Sequence, residues 1–102
     1  MSDLMKAMEN QVLRNQLLEI LRQAGGGGAN EKVIGLAMRT AGYQPDRAQL
    51  AENLSYLEAK GLVGIRKCEN RALGINMDIF FITPDGIDVL EGTMEVPGIG
   101  VG

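Results

Sequence analysis

The chain has no histidine, no tryptophan, one cysteine, two phenylalanines and two tyrosines in 102 residues. Each shortage excludes something. Without an imidazole, no side chain titrates unaided near neutral pH to serve as general base, and no nucleophile has an evident activator, so no catalytic residue and no enzymatic activity is expected. One sulfur and no imidazole cannot build a soft-metal site within one chain, so neither metal nor cofactor is expected. Cys68 alone forms no internal disulfide. No apolar run approaches the roughly 18 residues of a membrane span, and no basic-then-apolar leader opens the chain, which makes the cytoplasm the expected location.

Positive charge is missing from one region only. Residues 72–102 hold five acids and no Lys or Arg, whereas the rest of the chain is close to balance within a net charge of −3. Any surface that faces a polyanion therefore excludes the C-terminal third and draws on the local basic run Arg66, Lys67 and Arg71. A length of 102 residues and 45% hydrophobic content suit one domain with a modest core.

The stretch 45–63, PDRAQLAENLSYLEAKGLV, organises what is present. Leu50, Leu54 and Leu57 recur at i, i+4 and i+7 and share one helical face. Roughly opposite lie Ala48, Gln49, Glu52, Asn53 and Tyr56, small or hydrogen-bonding residues that leave a polar face open to read something. Lys60 suits the negative end of the helix dipole and Gly61 a left-handed cap, so the helix is expected to stop at Lys60.

Ahead of it, residues 3–23 read as a long helix with Ser2 or Asp3 as N-cap. Its apolar stripe changes side: Leu13, Leu17, Ile20 and Leu21 cluster, whereas Leu4, Met5, Met8 and Val12 fall elsewhere. Two outcomes remain open, that the first dozen residues wrap over their own domain or that they pack on a second copy or another partner. Four glycines at 25–28 form a flexible connector; no GK[ST] follows, so this is not a phosphate loop. Asn30 caps a second helix over 31–41, with Val33, Leu36 and Ala37 facing inward and Gly42 ending it. Beyond Gly61, residues 62–69 and 75–83 have strand character around the turn 70–74. Thr83 and Pro84 open a short helix through Leu90 that Gly92 ends. Its acids Asp85, Asp88 and Glu91 read as a solvated face. Residues 93–102 are too rich in Gly and Pro for a helix and are expected to fray, although Met94, Val96, Ile99 and Val101 offer apolar contacts.

The order α-α-α-β-β-α is a mainly α, α+β arrangement: a single domain over 1–92 with a flexible tail over 93–102. Two short helices joined by a tight Gly-containing turn, the second with an open polar face, make a helix-turn-helix pattern. The asparagine-to-valine segment NLSYLEAKGLV at 53–63 resembles the end of the recognition helix in the winged helix-turn-helix superfamily, particularly its ArsR and MarR types. ITPDGIDVLEG at 82–92 resembles the segment that follows their wing. The small size and the VPGIG tail are also similar to small winged-helix proteins of Mu-like prophages.

The resemblance implies a helix that enters the major groove of double-stranded DNA and a hairpin that touches the neighbouring backbone or minor groove. Carried over by position, the base-reading residues are Arg47, Ala48, Gln49, Glu52 and Asn53, and the wing residues are Arg66, Lys67 and Arg71; Tyr56, on the same polar face, is a further DNA-binding candidate. Gln and Asn pair bidentately with adenine, and wing arginines suit phosphate or a narrow groove. Where the family often has Ser followed by Arg or His, this chain has Ala51, Glu52 and Asn53, which removes a positive group and adds a carboxylate. The expectation is a DNA-binding transcriptional regulator, a homodimer through Leu4, Met5, Met8 and Val12. The alternative is a winged-helix interaction module in a larger, phage-type assembly with little or no DNA binding.

Overall fold

The computed structural model describes residues 3–99 in full, together with the backbone of Ser2. A capping role for the Ser2 side chain, and any contact of Val101, lie outside the described residues. The elements are helix α1 (Ser2–Ala24), a single 3-10 turn (Gly25–Gly27), strand β1 (Ala29–Asn30), helices α2 (Glu31–Thr40) and α3 (Arg47–Ala59), strands β2 (Val63–Asn70) and β3 (Ile75–Ile82), and helix α4 (Pro84–Glu91). No described helix is long and apolar enough to cross a membrane.

Local chemistry sets most of the boundaries. Asp46 caps α3 by accepting from Gln49 N–H at 2.8 Å, and Asn30 caps α2 by accepting from Val33 N–H at 2.8 Å. Thr83 does the same for α4, with Pro84 in the first turn where its missing N–H costs nothing. The Thr83 hydroxyl also donates to Gly61 O at 2.6 Å, which ties the start of α4 to the turn that ends α3. Gly61 holds a positive φ of 74° there, a conformation open to glycine at little cost.

The core lies beneath α1, with Leu13, Leu17, Leu18 and Leu21 against Ile34 and Met38 of α2, Leu50, Leu54 and Leu57 of α3, and Phe80 of β3. Leu4, Met5, Met8 and Val12 stay outside it, between 49% and 70% exposed, so the first half of α1 does not close over its own domain's core.

Three expectations require correction. The inward face of α2 is Ile34, Gly35 and Met38, while Val33 and Leu36 are exposed. Apolar residues occupy 33, 34, 36, 37 and 38, so two helical phases were available; the approach of Leu50 to Gly35 marks the one adopted. Secondly, the glycine connector is not featureless. It makes a 3-10 turn and delivers β1 onto β3, pairing Ala29 with Phe80 and Asn30 with Ile79, so the hairpin belongs to a three-stranded antiparallel sheet of order β1-β3-β2. Gly28 permits this, because a Cβ there would strike Phe80 O. Thirdly, the tail through Ile99 is docked rather than frayed: Ile99 is buried and Val96 packs against the core.

Candidate nucleic-acid interface

With Leu50, Asn53, Leu54 and Leu57 buried, α3 turns Ala48, Ala51, Glu52, Ser55 and Ala59 to solvent. Gln49 and Tyr56 fall on one flank, the side along which α1 runs. Arg47 is exposed in the first turn, just past the Asp46 cap.

Asn53 does not lie on the open face. It is 2% exposed, and its amide is engaged on both ends: Nδ2 donates to Gln49 O at 2.9 Å and to Asn10 Oδ1 at 3.2 Å, and Oδ1 accepts from Arg14 Nε at 2.8 Å. The physical reason is geometric: α1 passes close enough to α3 that an amide on this flank is taken by α1 before solvent reaches it. Gln49 is half-covered for the same reason, with Nε2 3.4 Å from Asn10 Oδ1. Tyr56 is likewise engaged. Its ring lies 3.7 Å from the Arg14 guanidinium and 5.5 Å from Lys60 Nζ, and its hydroxyl donates to Pro97 O at 2.9 Å. The expected reading face thus divides into Arg47, Ala48 and Glu52, which are free, and Gln49, Asn53 and Tyr56, which α1 and the tail occupy in part or whole.

The basic hairpin divides in the same way. Arg66 donates through Nη2 to Gly27 O at 2.9 Å and stands 5.5 Å from the Phe81 ring centroid, so it fastens the glycine turn to the sheet. Lys67 pairs with Asp78 across the hairpin at 3.1 Å, in an exposed position where such a pair adds little stability. Arg71 sits at the tip. The tip is a tight turn in which Asn70 Oδ1 accepts from Leu73 N–H and Gly74, at φ 66°, returns its N–H to Arg71 O. The side chain of Arg71 makes no hydrogen bond or salt bridge among the described residues. It is the hairpin cation with its charge uncommitted.

Three helices followed by an antiparallel hairpin and a closing helix make a known arrangement. The fold is a winged helix. The chain is similar to a PadR-like transcription factor from Bacteroides fragilis, with a TM-score of 0.76 at 16% identity over 89% of this chain and 84% of that one. It is also similar to a PadR family transcriptional regulator from Eggerthella lenta, with a TM-score of 0.63 at 18% identity over 90% and 80% of the two chains. No protein-family profile and no curated protein matches the chain.

Sequence reasoning missed Asn10 and Arg14, which set the position of the flank of α3. A signal existed for Arg14: it borders the Leu13–Leu17 stripe and has no acid three or four residues away on its own helix, so its partner had to lie on another element.

Proposed function

We propose that this chain is a DNA-binding transcriptional regulator, non-enzymatic and cytoplasmic, in which α3 enters the major groove and the β2–β3 hairpin serves as wing. The observation that carries the reading is the pairing of an outward, Asp46-capped start of α3, bearing Arg47, Ala48, Gln49 and Glu52, with a protruding wing whose Arg71 is uncommitted. The likeness of fold to two proteins described as transcriptional regulators, over about nine-tenths of the chain, supports it. Gln49 and Glu52 reach base edges in this reading, an amide for adenine and a carboxylate for the cytosine amino group. Arg47, Lys67 and Arg71 meet phosphates. Asn53 serves to hold α3 against α1 rather than to read a base.

The ArsR- and MarR-type motifs at 53–63 and 82–92 and the likeness to Mu-like prophage proteins belong to the same proposal, as does a homodimer through Leu4, Met5, Met8 and Val12. A dimer suits the duplex, because two half-sites share the limited phosphate contact each copy offers.

Fluorescence anisotropy against mixed-sequence duplex from about 50 to about 200 mM salt tests the reading, since about three phosphate contacts give a slope of log affinity on log salt near −3. Absence of binding by the folded protein at the lowest salt removes it.

One observation favours the second reading, an interaction module in a larger assembly. Beyond Arg47 in its first turn, the solvent face of α3 carries Ala48, Ala51, Ser55 and Ala59 with Glu52 and Glu58 and no further cation, a surface that lets another backbone approach closely. Loss of a co-purifying partner on deletion of residues 1–12, with no DNA binding at any salt, is the outcome specific to it.

A further inference from the structure

Arg14 and Tyr56 together grip two consecutive carbonyl oxygens of the tail. Arg14 Nη1 donates to Gly98 O at 2.8 Å and the Tyr56 hydroxyl donates to Pro97 O at 2.9 Å. The donors are fixed by other contacts, because Arg14 Nε is bound to Asn53 and the guanidinium lies over the Tyr56 ring. All the acceptors are neutral. Arg14 forms no salt bridge among the described residues, so a half-buried cation is compensated only by an amide, a ring and a backbone carbonyl.

An ionised acceptor makes hydrogen bonds about twice as strong as a neutral one, and a guanidinium beside a phenol is a donor set suited to phosphate oxygens. Position agrees with chemistry. Asn10 stands beside Gln49 and Arg14 beside Asn53 and Tyr56, so α1 runs along one flank of α3. A helix seated in a major groove about 12 Å wide has a phosphate strand passing along each side.

We propose that Arg14 and Tyr56 form a DNA phosphate contact that the chain's own tail closes, with Pro97 O and Gly98 O standing in for phosphate oxygens. The proposal rests on the DNA-binding reading and adds a gate to it. Tail and duplex compete for the same donors, so the apparent affinity is lowered by the fraction of molecules with the tail docked. Ile99, buried against the core, holds the tail down, and Gly98 makes the seat possible: its φ is 89° and a Cβ there would fall on the Tyr56 hydroxyl.

The test uses the full chain. Gly98→Val places a branched side chain where neither the backbone conformation nor Tyr56 admits one, and Ile99→Ser removes the anchor at a separate point. Undocking is read as faster amide exchange at Ile99, whose N–H bonds Val96 O at 3.3 Å, with circular dichroism to show that the helices persist. Both variants are expected to bind a mixed-sequence duplex about three- to tenfold more tightly at an unchanged salt slope, because the bound complex makes the same phosphate contacts once the tail has left. Adding Arg14→Gln to either removes the gain, and adding Tyr56→Phe, which keeps the ring, removes part of it. Undocking that leaves affinity unchanged or weaker overturns the gate while wild-type binding stands, and so does a gain that survives Arg14→Gln. Should neither the wild type nor the undocked variants bind duplex at about 50 mM salt, the DNA-binding reading falls and the gate with it.

Discussion

Arg14 Nε donates to Asn53 Oδ1 at 2.8 Å, joining positions 39 residues apart on two neighbouring helices. The bond holds the flank of α3 against α1 and so decides which residues of α3 face outward. Asn53→Ala breaks it and leaves two half-buried polar side chains, Arg14 and Asn10, each short of a partner. Removing one member of a buried hydrogen-bonded set costs about 1–3 kcal/mol. The expected result is a lower urea midpoint with unchanged m-value, at the upper half of that range because Asn53 serves both neighbours. A loss below about 0.5 kcal/mol, the level of an ordinary surface change, contradicts a positioning role.

Gly86 faces a harder neighbour than a side chain. A Cβ built on it would come against the carbonyl oxygen of Leu62 and the Ile82 side chain. In an unconstrained helix, Gly→Ala gains up to about 1 kcal/mol of propensity. Here the substitution pushes α4 away from the start of β2, and overpacking of that kind costs about 1–3 kcal/mol. Gly86→Ala is therefore expected to lower the melting temperature despite the better helix former, measured beside wild type by circular dichroism. A rise in melting temperature shows that α4 shifts freely.

What was legible in the sequence was local chemistry. Asp46, Thr83-Pro84, Gly61 and Gly92 announce helix ends through their own side chains or backbone freedom, and the ends fall at those residues. The split of α1 into a buried stripe from Leu13 onward and an exposed one before it was also readable, because each half keeps its own helical phase. The illegible parts depend on partners distant in the chain. β1 is two residues long and has no periodicity to read; only Phe80 and Ile79 make it a strand. The phase of α2 stayed ambiguous among five apolar residues until α3 approached Gly35. In the candidate site, Asn53 looks identical as a base reader and as a buried linker, and nothing near it in sequence reveals Arg14. The docking of Val96 and Ile99 likewise needs the α1 and α3 surfaces to exist first.

Of the three wing cations, Arg71 is free, Arg66 is structural and Lys67 is held in an exposed pair with Asp78. Arg71→Ala is expected to leave thermal stability unchanged and to weaken DNA binding across sequences, with the salt slope shallower by about one contact. Arg66→Ala instead frees the carbonyls of Gly26 and Gly27, so amide exchange in the 25–28 turn should accelerate. A charge reversal at Arg66 mixes the two effects, which makes Arg71 the cleaner probe of DNA contact. If Arg71→Ala binds duplex as wild type does, the wing tip is not at the backbone.

The exposed half of α1 presents Leu4, Met5, Met8 and Val12 at helical spacing over about 12 Å of helix. Four such side chains in one stripe leave an apolar patch that a folded chain ordinarily covers. Beside Met8 and Val12 lies a groove of about 420 Å³ walled by Tyr43 and Pro45, wide enough to receive side chains from a second α1. A symmetric pairing of two α1 helices places each stripe on the other and demands no new residue type. Sedimentation equilibrium of the wild type is expected to give twice the chain mass at micromolar concentration, and Met8→Glu, which sets two like charges into the contact, the mass of one chain. Because Met8 is already 57% exposed within the single chain, the variant should keep its melting temperature at high dilution. A wild type that stays monomeric at about 100 μM, a concentration well above the Kd of about 1 μM that such a contact needs to matter at about −8 kcal/mol, removes the dimer and leaves the stripe for a different partner.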